Sequence, residues 1–228
     1  MADRKALCLV SGNLAEIAPE DRLILPGDPL FGLHAASKQY VDAGLATKEE
    51  LDPNRLTIGE EVYRRGDATA INVASTPQWL RLVYFTARKA QTTTQVRVIG
   101  GNNAAGATPT LCELGLFTID AAGDGTRVAV TGNDTSLFAT TLATYTRSWL
   151  ASYNMVIGQR YALSWLVVTT AAAPTYSGIV LASSLDVETS LASRITGRIS
   201  GQTTTPASFT AASVGASTSR PYGVILPA

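Results

Sequence analysis

The sequence predicts a mainly β protein whose C-terminal part is an antiparallel β-sandwich of jelly-roll type, preceded by a short β segment and a helical neck. Three observations support this fold class. Apolar runs of strand length alternate with turns rich in Gly, Asn, Asp and Pro from residue 70 onward. One helix-like segment lies between two Asp-Pro pairs. The sequence shows no repeat of fixed period that would indicate a solenoid or a propeller.

Residues 1–32 form the first predicted domain, a short β segment. Ala6–Val10 and Leu14–Ile17 are its predicted strands, because each is a short apolar run. Ser11–Asn13 supplies a polar, glycine-containing turn between them.

A helical neck with its connector is predicted over residues 33–67. The helix Leu33–Leu51 lies between Asp28-Pro29 and Asp52-Pro53, and proline cannot continue a helix. Its narrow apolar stripe consists of Leu33, Ala36, Tyr40, Val41 and Leu45. A monomer does not bury so narrow a stripe, so we expect these residues to be oligomerisation contacts between copies of the helix.

Residues 68–228 are predicted to be the β-sandwich head. The predicted strands are Trp79–Ala87, Thr94–Ile99, Leu111–Ile119, Thr126–Thr131, Tyr145–Val156, Arg160–Thr169, Gly178–Ser183, Ser193–Ser200 and Tyr222–Leu226. Gly and Asn residues between them tolerate the positive φ that tight hairpin turns require. Regularly spaced strands with little helix are typical of sandwiches and jelly rolls.

Two of these strands are apolar on both faces. Trp79–Phe85 and Arg160–Thr169 carry apolar side chains at nearly every position rather than at alternate positions. In a two-layer sandwich one face of a strand meets the core and the other meets water, so a second apolar face indicates a second covered surface. We expect another subunit to cover it, in agreement with closed cyclic symmetry.

Charge is distributed unevenly along the chain. The formal net charge is zero, with 18 basic and 18 acidic residues, which does not favour a nucleic-acid partner. Residues 1–67 carry 20 charged side chains, whereas the following 161 residues carry 16 and contain no lysine after Lys89. So weakly charged a surface suits packing in an assembly or contact with carbohydrate, and the change near Asp67 predicts a domain boundary.

Export and membrane insertion are not expected. No apolar run approaches the roughly 20 residues of a spanning helix, and the N-terminal run Leu7–Val10 is too short for a signal peptide. Synthesis in a cytoplasm is therefore expected. The two cysteines, Cys8 and Cys112, have no metal-type spacing and are interpreted as free thiols.

The sequence does not predict an enzyme, a cofactor or a metal site. The single histidine, His34, lies in the helical segment, and no nucleophile elbow accompanies it. Asp120–Gly125 resembles the start of a calcium loop, but Ala122 and Thr131 stand where carboxylates are needed. Most carboxylates after Asp67 lie in turns, where solvated aspartates are ordinary.

An aromatic set is the candidate ligand-binding site. Tyr145, Trp149 and Tyr153 are spaced four apart, which places them on one face of a strand. Sugar rings stack on aromatic faces, and the turn residues Asn133 and Asp134 offer hydrogen bonds to sugar hydroxyls. The alternative is that Trp149 belongs to the core, whereas Tyr145 and Tyr153 are expected to be exposed.

The N-terminal segment carries a resemblance to a known class of proteins. Asp28-Pro29 followed by His34–Asp42 is similar to a pattern common in tail-fibre and minor tail proteins of tailed bacteriophages, and Lys5–Leu14 resembles their N-terminal head. The matching part is the first 50 residues or so, less than a quarter of the chain. The resemblance implies a homotrimer that attaches to tail or baseplate proteins by its N-terminus.

The expected function is therefore that of a phage virion structural protein, a tail fibre or receptor-binding component located in the virion. Its head would bind host-surface glycan during attachment. One alternative is a capsid decoration or head-fibre protein that binds no receptor. A second alternative is a polysaccharide depolymerase, which would need two suitably spaced carboxyl groups in a cleft.

Overall fold

The computed structural model describes residues 7–10, 13–16, 59–181 and 194–228. The chain divides into two compact units, Met1–Pro53 and Asn54–Ala228. The predicted helix Leu33–Leu51, with all five of its proposed oligomerisation residues, lies outside the described residues. In the described ranges no helix is long and apolar enough to cross a bilayer.

The described residues are mainly β, as predicted. The strands are β1 (Leu7–Val10), β2 (Asn13–Glu16), β3 (Glu60–Glu61), β4 (Ala70–Val73), β5 (Leu80–Thr86), β6 (Gln91–Ile99), β7 (Leu111–Ile119), β8 (Gly125–Val130), β9 (Thr144–Met155), β10 (Arg160–Val168), β11 (Tyr176–Val180), β12 (Thr196–Ile199), β13 (Ser208–Phe209), β14 (Ser219–Pro221) and β15 (Gly223–Pro227). Two short 3-10 helices, Arg65–Asp67 and Ala211–Ser213, accompany them.

In the first unit, β1 and β2 form an antiparallel hairpin. Leu7 pairs with Glu16, and Val10 pairs with Asn13 across the turn. Both strands were predicted, with β1 beginning one residue later and β2 one residue earlier than the sequence indicated.

The second unit is sandwich-like and antiparallel throughout its paired strands. One layer is the six-stranded sheet β12-β5-β10-β7-β8-β13. The other layer contains the four-stranded sheet β3-β15-β6-β9 and the three-stranded sheet β14-β11-β4, joined by a bridge between Gly100 and Tyr176. Trp165 and Leu163 of the first layer share a buried core with Val98 and Tyr176 of the second. The prediction of a sandwich-like arrangement of antiparallel sheets is therefore confirmed.

Four strands were missed by the sequence interpretation: β3, β4, β13 and β14. Each contains two to four residues, and an isolated segment of that length carries too little alternation to indicate a strand. Pairing with distant strands forms them, as when Glu60 in β3 lies opposite Ile225 in β15. The sandwich therefore includes residues that the sequence assigned to the connector.

The prediction that β5 and β10 are apolar on both faces is confirmed. The expectation that another subunit covers their outer face is wrong. The residues on their outer face are Leu80, Leu82, Tyr84, Ala162 and Leu166. These side chains are packed with Ile199, Phe209 and Val214, which lie on β12, on β13 and after the second 3-10 helix. The chain's own C-terminal segment covers this face, so the face itself provides no evidence for another subunit.

Candidate functional site

The three aromatic residues of β9 face the core between the two layers. Tyr145 is 9% exposed and Trp149 6% exposed, while Tyr153 is half-buried against the same core. The prediction that they share one face is confirmed, and so is the alternative that Trp149 is a core residue. The expectation that Tyr145 is exposed is wrong, because the shared face of β9 is the inner one.

The polar atoms of these buried aromatics have partners inside the protein. The Tyr145 hydroxyl donates to the Thr140 carbonyl and accepts from the Thr140 N–H, both at 2.8 Å. Trp149 Nε1 donates to Thr93 Oγ1 at 2.9 Å. Buried polar groups that are paired in this way stabilise the fold. Tyr145 and Trp149 therefore have their main roles in packing.

Asn133 and Asp134 connect the end of β8 to neighbouring segments. Asn133 Oδ1 accepts from the Cys112 N–H at 2.9 Å, and its Nδ2 donates to the Thr110 carbonyl at 3.0 Å. Asp134 accepts from the backbone N–H and hydroxyl of Ser136 and forms an ion pair with Arg147. Both side chains therefore hold the loop, and neither lines the cleft described below.

The electrostatics of Asp134 predict a pH-dependent stability. Partial burial acts to raise the pKa of its carboxyl, but hydrogen bonds from Ser136 and the Arg147 ion pair outweigh burial and lower the pKa. Because the folded-state pKa is lower than the unfolded one, the ionised carboxylate stabilises the fold at pH values above the unfolded pKa, near 3.9. That stabilisation is lost as the pH falls through the lower folded-state pKa.

Asp134→Asn is accordingly expected to lower the free energy of unfolding at neutral pH, by less than about 1 kcal/mol because the pair is partly exposed. The difference between the two proteins should narrow when urea unfolding is repeated below about pH 3.9, where the carboxyl of the unfolded wild-type chain takes up its proton. A difference that is the same at both pH values would contradict a role for the carboxylate charge.

A cleft of about 560 Å³ lies on the second unit, where the β7–β8 turn meets the C-terminal segment. Its volume is within the range of roughly 300–1,000 Å³ that is usual for small-molecule sites. The lining residues are Asp120, Asp124, Gly125, Thr126, Ile199, Gln202, Pro206, Ser208, Phe209, Thr210 and Ser213. The sequence had identified the Asp120–Gly125 turn only as an incomplete calcium loop.

Backbone hydrogen bonds fix the two carboxylates of this cleft. Asp120 Oδ1 accepts from the N–H groups of Ala122 and Asp124, both at 2.9 Å, and Gly123 closes the turn with a φ of +87°. Asp124 Oδ1 accepts from the Ala211 N–H at 2.7 Å, which ties the turn to the second 3-10 helix. Within the described part of the chain, neither Oδ2 atom is hydrogen-bonded, so each carboxylate keeps an acceptor for a ligand.

An aromatic ring forms part of the cleft wall. Phe209 packs on Phe117 with ring centroids 5.1 Å apart and is 8% exposed, so only the edge of its ring reaches the cleft. A Cβ atom on Gly125 would lie 2.3 Å from this ring, which is closer than carbon atoms approach. Glycine at position 125 is therefore required for Phe209 to reach its position.

The remaining polar lining consists of hydroxyl and amide groups. Thr126, Ser208 and Thr210 contribute hydroxyls able to donate and to accept, whereas the Ser213 hydroxyl already donates to the Thr210 carbonyl at 2.6 Å. Gln202 is held by its N–H, which donates to the Gln78 carbonyl, and by its Nε2, which donates to the Ser200 carbonyl at 3.1 Å. Carboxylates, hydroxyls and an apolar edge together suit a polyhydroxylated ligand. Over the described ranges, no group of three His, Cys, Asp or Glu residues could hold a metal ion.

The free-thiol interpretation is confirmed for Cys112, which is buried and forms no disulfide. Its Sγ lies 3.8 Å from the Leu137 carbonyl oxygen. Burial raises the pKa of this thiol to about 12, with a further contribution from the charge of Asp134. The thiolate is the reactive form, so Cys112 is a packing residue rather than a nucleophile.

Comparisons with known proteins identified no relative of this chain. No protein-family model matches the chain, and no curated protein matches it. The proposals below therefore rest on the residues and on the geometry described above.

Proposed function

We propose that the protein is a structural component of a tailed-phage virion, a tail fibre or receptor-binding protein whose sandwich binds host-surface glycan. The observation that carries the glycan-binding part is the cleft at Asp120 and Asp124, where carboxylates, hydroxyls and an aromatic edge converge. Attachment to other virion proteins is assigned to the N-terminal segment, on the resemblance of Asp28-Pro29 and His34–Asp42 to phage fibre proteins.

The strand order of the sandwich supports this proposal. Eight strands follow the order of a double-sheet jelly roll, with β5-β10-β7-β8 in one layer and the pairs β4-β11 and β6-β9 in the other, and consecutive strands change layers except between β7 and β8. Jelly rolls are recurrent in viral capsid and lectin domains. Fold alone does not determine function, so the strand order supports the proposal only together with the cleft.

Trimerisation is part of the proposal, because one shallow site binds sugar weakly and several linked sites bind strongly. Since the outer face of β5 and β10 is covered by the same chain, the argument for a trimer rests on the predicted helix Leu33–Leu51 and its apolar stripe. Replacing stripe residues is therefore the direct test.

Light scattering coupled to size exclusion is expected to give the full chain a mass of three subunits of 23.9 kDa, about 72 kDa. Combining Val41→Asp with Leu45→Asp should yield the monomer mass, because charges placed in the stripe repel one another across the helix bundle.

Gln39→Asp, on the opposite side of the same predicted helix, serves as the matched control and should remain trimeric. A monomeric full chain at micromolar concentration would contradict the fibre proposal and favour the decoration protein.

A further inference from the structure

The charged side chains that line the cleft are both acidic. Asp120 and Asp124 both contribute carboxylates to the lining, and no Lys, Arg or His is among the described lining residues. The Oδ1 atoms of these carboxylates are bonded to neutral backbone N–H groups, and the neighbouring Arg127 guanidinium donates to the Thr205 carbonyl rather than to either carboxylate. The cleft therefore presents a negative potential to any ligand that enters it.

This charge pattern discriminates among sugars. A carboxylate, sulfate or phosphate group placed between the two carboxylates is repelled, and like-charge contacts in a binding site are strongly unfavourable. A neutral hydroxyl can donate a hydrogen bond to either Oδ2 atom, and an ammonium group can form a charge-assisted one. The hydroxyls of Thr126, Ser208 and Thr210 then have ring hydroxyls as their partners.

We infer that the cleft selects neutral or amino-bearing sugars and rejects sugars that carry a carboxylate, sulfate or phosphate group. The inference rests on the proposed glycan-binding function and narrows it to one ligand chemistry. The two carboxylates determine selectivity, while the surrounding hydroxyls provide the hydrogen bonds that hold the ring. Host polymers built from neutral hexoses or hexosamines fit this chemistry, whereas uronic-acid and sialic-acid polymers do not.

The test uses the labelled full chain on an array of neutral, amino, carboxylated, sulfated and phosphorylated glycans, including lactose paired with sialyllactose and chitotriose paired with its deacetylated form. Binding is expected on neutral and amino glycans, with sialyllactose bound at least about tenfold more weakly than lactose. Ser208→Trp should reduce all binding at least about tenfold, because an indole at this exposed lining position fills the cleft.

A double variant, Asp120→Asn with Asp124→Asn, isolates the charge. Asparagine keeps the Oδ1 atom that accepts the backbone hydrogen bonds at both positions. The loop is therefore retained while the negative charges are removed. Discrimination against acidic glycans should then fall by at least about threefold. Asp67→Asn and Ser152→Trp, both exposed and outside the cleft lining, are the matched controls and should change nothing.

The outcomes separate this inference from the proposed function. Equal binding of acidic and neutral partners, or unchanged discrimination in the double variant, would overturn the inference while leaving glycan binding in place. Binding that survives Ser208→Trp would place the glycan site elsewhere on the protein and would also overturn it. A chain that binds no glycan on the array would contradict the proposed function itself.

Discussion

Trp165→Ala is expected to lower the free energy of unfolding by about 3–5 kcal/mol, the range observed for large aromatic residues removed from packed cores. Trp165 is completely buried and lies on β10, in the interior of the six-stranded sheet. Its ring lies 6.5 Å from that of Tyr176 in the opposite layer. The chain at Gly223 also approaches it closely, since a Cβ atom there would lie 3.1 Å from the indole. Truncation therefore leaves a cavity between two layers that cannot easily collapse.

Chemical denaturation measures this loss. Leu150→Ala is the matched control, because Leu150 is 72% exposed on β9 and its truncation should change the free energy of unfolding by less than about 0.5 kcal/mol. A loss below about 1 kcal/mol for Trp165→Ala would contradict the packing of the two layers described above.

Phe209→Ala is expected to cost about 3 kcal/mol, because the ring helps cover the outer face of the six-stranded sheet. Phe209 is 8% exposed and packs on Phe117, in a cluster with Leu82 and Leu166 of the outer face. Removing the ring exposes apolar surface on strands whose other face is already in the core. The loss of stability should be the same at every protein concentration, since the cover belongs to the same chain.

Denaturation of Phe209→Ala at several protein concentrations tests this cover. Val156→Ala, at a position 57% exposed in the turn after β9, is the control and should be near neutral. A small effect of Phe209→Ala, together with a midpoint that still rises with protein concentration in the Val41→Asp, Leu45→Asp background, would instead indicate that another subunit covers the face.

Strand positions were largely predictable from the sequence. Leu111–Ile119 was predicted with both ends in agreement with β7, and Arg160–Thr169 differs from β10 by one residue. These strands are long and apolar and are bounded by turn residues, so the information that defines them is local. β13 could not be predicted in this way, because its two residues form a strand only by pairing with Thr126 and Gly125 of β8.

The candidate site was predictable only in fragments. The Asp120–Gly125 turn was noticed for its carboxylates, but Ser208, Thr210 and Ser213 stand far from it in the chain and show no distinguishing motif. The spacing of Tyr145 and Trp149 indicated a shared face of β9 and could not indicate whether that face is inner or outer.

The sequence by itself determined the mainly β, sandwich-like character of the second unit, most strand positions and the apolar character of both faces of β5 and β10. It could do so because alternation and turn chemistry act over a few neighbouring residues. Only the tertiary structure decided what covers the outer face and which residues line the cleft. Those outcomes depend on contacts such as the hydrogen bond from the Thr196 hydroxyl to the Leu82 carbonyl, which joins residues 114 positions apart. Burial is a property of the whole folded chain, so no local pattern specifies which distant segment supplies it.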